Sequence, residues 1–130
     1  MPRELSAAVQ AILAEAAGEG PDGMARVAKV IRSRTLLPRW RGMSMDDVAR
    51  QPKQFSGMQR TDLKAFLAKQ PPSVIADAQR AHDTVMADTK MKPWADHYVT
   101  ADLYKKSSRP SWVGKMKVIE RHGNHVFMKE

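Results

Sequence analysis

The chain has no cysteine. That excludes disulfides and any cysteine-bound zinc or iron centre, and it fits synthesis in a reducing cytoplasm. No apolar run is long enough to cross a bilayer, so no membrane insertion is expected. A secretory signal is not expected either. Arg3 offers a weak positive start, but Glu4, Gln10 and Glu15 interrupt what should be an apolar stretch. Aromatic residues make up only 6% of the sequence, and no basic stretch is interleaved with them, which argues against a dedicated nucleic-acid groove. Repeats, low-complexity tracts and composition breaks are lacking too. The 130 residues are therefore expected to form one domain, 1–130, around one core.

Positive charge, by contrast, is plentiful. Lys and Arg number 22 against 14 Asp and Glu, a net charge of +8 and a pI near 10.1. The basic residues are scattered, which gives a general attraction for polyanions such as nucleic acid, anionic lipid or an acidic wall polymer. Hydrophobic content of 42% and charged content of 28% are ordinary for a soluble domain.

The first two-thirds carry helical periodicity. Ser6 is placed to cap a helix whose apolar residues are Val9, Ile12, Leu13 and Ala16. Gly18, Gly20, Pro21 and Gly23 are expected to end it. Met24, Val27, Ala28 and Ile31 mark a second helix to about Arg34. Ser44 predicts a cap for a short helix to about Gln51, Thr61 one to about Lys69, and Ser73 one to about Ala87 with Ile75, Ala78, Ala81 and Val85 inward. Residues 38–42, 51–58 and 105–115 are expected to be irregular. His97–Thr100 is β-prone, and Lys117–Lys129 predicts a hairpin about Gly123 and Asn124. The fold class is α+β, mainly helical with a small late sheet.

One stretch, "ILAEAAGEG" at residues 12–20, raises a chemical question. Continued as one helix, it would stack Glu15 and Glu19 on the margin of the buried face. Partial burial, a neighbouring carboxylate and the helix C-terminus all push a carboxyl pKa upward, as a general acid requires. A solvated helix face would show the same pattern. Two carboxylates on successive turns approach a bond from one side, so they do not make an acid–base pair across it. Asp96, beside His97, is a candidate for a second carboxylate.

Five segments in order resemble the spore-cortex-lytic, SleB-like cell-wall hydrolases. "LAEAAGEGPDGMARVAKVIRSR" resembles their Glu-Ala-x-Gly-Glu helix and the Gly-led helix after it. "VARQPKQFSGM" resembles the Val-x-x-x-Pro-x-Gln-Phe-Ser segment, "HYVT" a His-Tyr-Tyr-Thr-like strand, "RPSW" a Pro-x-Trp loop, and "GNHVFMK" the closing His-x-Phe. Ser33 stands where relatives usually have Asn, and Gly57 where they have a bulkier residue. The phage-lysozyme spacing of Glu, Asp and Thr is missing, since Met24 and Ala28 follow the two glutamates by nine residues.

The resemblance implies a lysozyme-like, lytic-transglycosylase-like fold and cleavage of peptidoglycan glycan strands, with no cofactor and no metal. It implies Glu15 as catalytic acid/base and Glu19 as a supporting active-site residue. Gln54, Phe55, Ser56, His97, Tyr98 and His125 would line the cleft. A lytic transglycosylase needs one such acid, because the muramic acid's own 6-hydroxyl is the nucleophile. By analogy the chain looks like a monomeric bacteriophage endolysin, made in the host cytoplasm and active on a thin Gram-negative wall. Three alternatives stand beside this reading. One is a hydrolytic muramidase on the same site. Another is a zinc-dependent amidase or peptidase built on His97, His122 and His125. The last is a non-catalytic basic binding module. Trp94 and Trp112, in loop-like stretches, are suited either to a sugar face or to the core.

Overall fold

The computed structural model describes residues 4–51 and 54–130. Arg3, the weak positive start of the N-terminus, and Pro52 of the Pro-x-Gln-Phe-Ser segment lie outside the described residues. Helix α1 (Ala7–Ala16) runs through the middle of the helical part. Ala7, Ala8, Val9, Ala11, Ile12, Leu13 and Ala16 are all buried, which makes this helix apolar on nearly every side, as a central helix must be. Its N-terminus is closed by Ser6, whose Oγ accepts from Val9 N, and by Asp46 Oδ1, which accepts from Ala8 N at 2.9 Å.

Around α1 pack α2 (Gly20–Thr35), α3 (Met45–Ala49), α4 (Leu63–Ala68), α5 (Pro72–Ala87) and a 3-10 turn at Ser56–Gln59. The expected helices are present, with three differences at their starts. Gly20, Pro21 and Gly23 begin α2; they do not end α1. Gly20 turns the chain at φ 79°, and Pro21 takes the first helical turn, where its missing N–H costs nothing. Thr61 does not cap α4. Asp62 holds that position, its carboxylate turned to Arg60 Nε and Nη2 at 2.6 and 3.0 Å. Ser73 lies inside α5, whose first residue is Pro72. The Ser44 cap is as expected, a reciprocal pair with Asp47.

The late sheet is antiparallel in the order β1-β3-β2, with β1 at His97–Thr100, β2 at Lys117–His122 and β3 at His125–Lys129. β3 is central, and His125, Val126, Phe127 and Met128 are buried. β2 and β3 form the predicted hairpin, with Gly123 at φ 55° in the turn. The 105–115 region is more ordered than expected. A short helix α6 (Ala101–Lys105) ends there, and a 3-10 turn spans Ser111–Lys115.

Helices and sheet are joined from α2. Arg34 Nε donates to Asp96 O at 2.8 Å, Ser33 Oγ accepts from Trp94 N at 2.8 Å, and Arg26 pairs with Glu120. Ser33 is fully buried, and its hydroxyl holds the segment entering β1. Ser33→Ala should leave the Trp94 amide without its partner and lower stability by about 1–3 kcal/mol. A shift in the urea midpoint at unchanged m-value checks this.

Candidate active site

Glu15 sits in the last turn of α1, at the edge of a cleft of about 700 Å³ between the helical part and the sheet. Both carboxyl oxygens are engaged from other segments. Oε2 accepts from Gly57 N at 2.8 Å, and Oε1 accepts from Tyr98 OH at 2.7 Å. A carboxylate has about four acceptor sites, so two fixed donors orient it and still leave capacity for a ligand. Burial, then the Glu15 charge and its hydrogen bond, push the Tyr98 pKa well above the ordinary value, with Arg34 opposing. Tyr98 therefore remains a phenol that donates.

Gly57 is required by close approach. A Cβ there would fall 2.6 Å from Glu15 Oε2, 2.7 Å from Ala14 O and 2.8 Å from Ala14 Cβ. The helix carbonyl has no room to yield. Without that clearance, the Gly57 amide would not reach the carboxylate.

Of the expected cleft residues, Gln54, Ser56, His97, Tyr98 and His125 line it together with Glu15. Phe55 does not. It is buried in the helical core, its ring 5.1 Å from the Arg34 guanidinium carbon and 6.5 Å from the Tyr98 ring. Its apolar bulk is better placed beneath the cleft than in its water.

Glu19 departs from the expected stacking. α1 ends at Ala16, where φ −142° and ψ 13° leave helical geometry, and Ala17–Glu19 make one 3-10 turn. Glu19 does not line the cleft. Its Oε1 lies 4.0 Å from His125 Nδ1, and its carboxylate packs on the Gly123 turn, where a Cβ would meet Oε2 at 2.5 Å. Its place is under the hairpin, beside His125.

Asp96 does not line the cleft either. It is buried, and its Oδ1 lies 2.8 Å from His97 Nδ1. Its carboxylate is turned to that ring and away from the cleft lining. The three histidines of the zinc alternative do not converge. His122 pairs with His125 across the hairpin, whereas His97 pairs with Met128, roughly 10 Å further along β3. Among the described residues no group of three or more His, Cys, Asp or Glu side chains is arranged to hold a metal ion.

Trp112, suited by sequence to a sugar face or to the core, lines the cleft, as do Arg34, Arg39 and Glu130, which the sequence does not single out. Arg34 is only 3% exposed. It donates to Asp96 O and to Gln54 Oε1, and its guanidinium lies 5.2 Å from the Trp40 ring. Burial lowers its pKa, while Tyr98 and Asp96 raise it. The signal available in the sequence was its place in "VIRSR". Trp94, the other loop tryptophan, packs on Phe127 at 5.3 Å, away from the cleft lining.

A mainly helical part closed by a small three-stranded late sheet is a lytic-transglycosylase-like fold. Two solved structures share it. The catalytic domain of the germination-specific lytic transglycosylase SleB from Bacillus anthracis is 21% identical, with a TM-score of 0.66, covering 99% of this chain and 100% of that one. The catalytic domain of the Bacillus cereus SleB protein is 20% identical, with a TM-score of 0.60, covering 99% and 95%. At these identities the likeness establishes the fold. A family model described as Cell Wall Hydrolase matches residues 18–128, and the chain belongs to that family. It is a peptidoglycan-degrading enzyme. The matched segment includes Glu19 and begins downstream of Glu15. No curated protein sequence matches the chain.

Burial lowers the pKa of His125, with Glu19 and then Glu15 acting against that and His122 adding to it. The folded state thus prefers neutral imidazole. Below about pH 6.5 the unfolded chain takes up a proton that the folded chain resists. Stability should fall as the pH drops from about 6.5 through the lowered folded pKa, and this residue should contribute no further change above it. Thermal midpoints measured across that range should flatten in His125→Gln. Gly57→Ala should push the Ser56–Gln59 turn off α1 and lengthen the bond to Glu15. Activity on purified peptidoglycan should drop about tenfold or more, and stability by about 1–3 kcal/mol. Turnover assays beside thermal melts separate the two effects.

Proposed function

We propose that this enzyme cleaves the bond between N-acetylmuramic acid and N-acetylglucosamine as a lytic transglycosylase, with Glu15 as its single acid/base. One observation carries the reading: Glu15 is the half-buried carboxyl of the described cleft lining. The other acidic residue there, Glu130, is exposed at the rim and paired with Arg39 at 3.1 Å. Hydrolysis by two carboxylates needs a second group about 5–9 Å across the bond. Anhydro-ring closure needs only one, because the nucleophile is part of the substrate.

Protonated Glu15 gives its proton to the bridging oxygen, and the C1–O bond breaks as the N-acetylglucosamine 4-hydroxyl leaves. The resulting carboxylate takes the proton from the muramic acid 6-hydroxyl, whose oxygen bonds to C1 and closes the 1,6-anhydro ring. Atoms balance and Glu15 ends protonated, ready for the next strand. Gly57 N–H and Tyr98 OH keep the carboxyl plane fixed through both transfers. Gln54, Ser56 and His97 offer hydrogen bonds to hydroxyl and acetamido groups. Arg34 anchors Gln54 from beneath. Glu19 acts through His125.

On the same reading the whole chain is one catalytic domain, works as a monomer, and is an endolysin that attacks a host wall. Its net charge of +8 favours an anionic wall polymer. Digestion of purified peptidoglycan with end-group mass spectrometry tests the reaction. Anhydro ends are expected, and reducing ends would move the enzyme to the muramidase class. Glu15→Gln should lower the rate by about a thousandfold while the melting temperature stays near wild type; wild-type rates from that variant would remove Glu15 from its role.

A further inference from the structure

We propose that Trp112, backed by His97 and Asp96, forms an N-acetylhexosamine subsite on the cleft wall beside Glu15. The proposal rests on the glycan-cleaving reading of the cleft and adds a binding platform to it. Three large apolar side chains are exposed among the described residues: Met86, Ile119 and Trp112. Only Trp112, 39% exposed, lines the cleft. Its neighbour Val113 is buried, so the 3-10 turn is anchored while the indole projects into water. An indole kept wet inside a cleft offers a flat apolar face to a ligand that has one. A hexopyranose has such a face in its C–H groups, with hydroxyl and acetamido groups around its edge.

The platform is supported from behind. The His97 ring lies 5.3 Å from Trp112, tilted by 51°, and 6.3 Å from Trp40, tilted by 55°. The Oδ1 of buried Asp96 lies 2.8 Å from His97 Nδ1. With Nδ1 turned to that carboxylate, Nε2 is the ring nitrogen left to hydrogen-bond a sugar hydroxyl, which can both donate and accept. Arg39 and Glu130, also on the lining, supply polar partners at the rim. His97 and Tyr98 are consecutive on β1 and point to opposite sides of the strand. Tyr98 turns to Glu15, and His97 turns to Trp112. The subsite therefore holds a sugar flanking the cleaved linkage, while the reacting sugar sits at Glu15. Asp96 is a positioning residue, acting through His97.

Two measurements test this. The first is tryptophan fluorescence with chitohexaose as probe, in wild type and in Trp112→Ala. The second is steady-state cleavage of peptide-free glycan strands. Trp112→Ala should abolish most of the chitohexaose-induced change and raise KM about tenfold or more, with kcat within about threefold, the signature of lost uniform binding. Trp112→Phe should recover most of the affinity. His97→Ala should raise KM several-fold, and Asp96→Ala should add nothing in its presence, because both act through one ring. Met86→Ala, away from the cleft, is the control and should match wild type. A Trp112→Ala enzyme with wild-type KM and an unchanged chitohexaose response overturns the subsite. Additive effects of Asp96→Ala and His97→Ala remove Asp96 from it. A wild type that binds chitohexaose but releases no glycan ends refutes the cleavage reading and leaves the subsite standing.

Discussion

The Glu15 carboxyl group, held at one oxygen by the Gly57 amide and at the other by the Tyr98 hydroxyl, ties three separate parts of the chain together. α1 brings it from the middle of the helical core, the Ser56–Gln59 turn meets it from one side, and β1 meets it from the other. None of these segments is near another in sequence, so the site exists only when the helical part and the sheet are docked. A carboxyl at the end of a buried helix has little rotamer freedom. Two donors from independent elements remove most of what is left. Proton transfer to a bridging oxygen depends on that fixed geometry.

The break at Ala16 matters as much as the bonds. Had α1 continued, Glu19 would lie about 5–6 Å from Glu15, one like charge above another. The 3-10 turn sends Glu19 to the hairpin instead, beside His125 and against the side-chain-free surface of Gly123. Gly23 completes the arrangement, since a Cβ there would collide with the Glu19 Cβ. The glycines of this region are thus spent on clearance for a carboxylate and on the start of α2. Burial of His125 disfavours its charged form, while the two glutamates favour it. The imidazole lies where the fields of both carboxylates meet, and its packing on Tyr98, 5.0 Å between ring centroids, carries the support back to the phenol that holds Glu15.

Much of this was legible in the sequence, for reasons that differ by element. The apolar spacing of Val9, Ile12 and Leu13 marks α1, the Ser44 cap marks α3, and the Gly123–Asn124 turn marks the hairpin, though not the register shift between Val118 and Glu120. These signals are local, and local chemistry decides them. The boundaries about Gly20, Asp62 and Pro72 were misread because glycine and proline fit a helix start as well as a stop, and because Asp62 prefers Arg60 to its own helix. Glu15 was legible, and so were five of the six other lining residues proposed. Phe55 lies in the core and not on the cleft lining, while Glu19 and Asp96 stand behind the lining residues His125 and His97. Each sits next to a true lining residue or one helical turn from it, and sequence proximity does not reveal which way a side chain points. Arg34 becomes visible as a cleft residue only when β1 is brought against α2, and the choice for Trp112 between sugar face and core is decided only by the Ser111–Lys115 turn.

Arg34 shows why the docking of sheet on helices is rigid enough to serve a site. A guanidinium this buried is costly unless its donors are satisfied. Here Nε reaches the Asp96 carbonyl at the entrance to β1, and Nη1 reaches Gln54 at the cleft. The rings of Trp40 and Phe55 lie within 5.2 Å and 5.1 Å of its charged carbon. The planar, weakly hydrated guanidinium suits such a slot where an ammonium would not. Displacing β1 from α2 would strand this charge and release the Trp94 amide from Ser33 at the same time. The penalty for small movements is therefore steep. Tyr98, fixed on that strand, inherits its position from it, and so does the carboxyl group it holds.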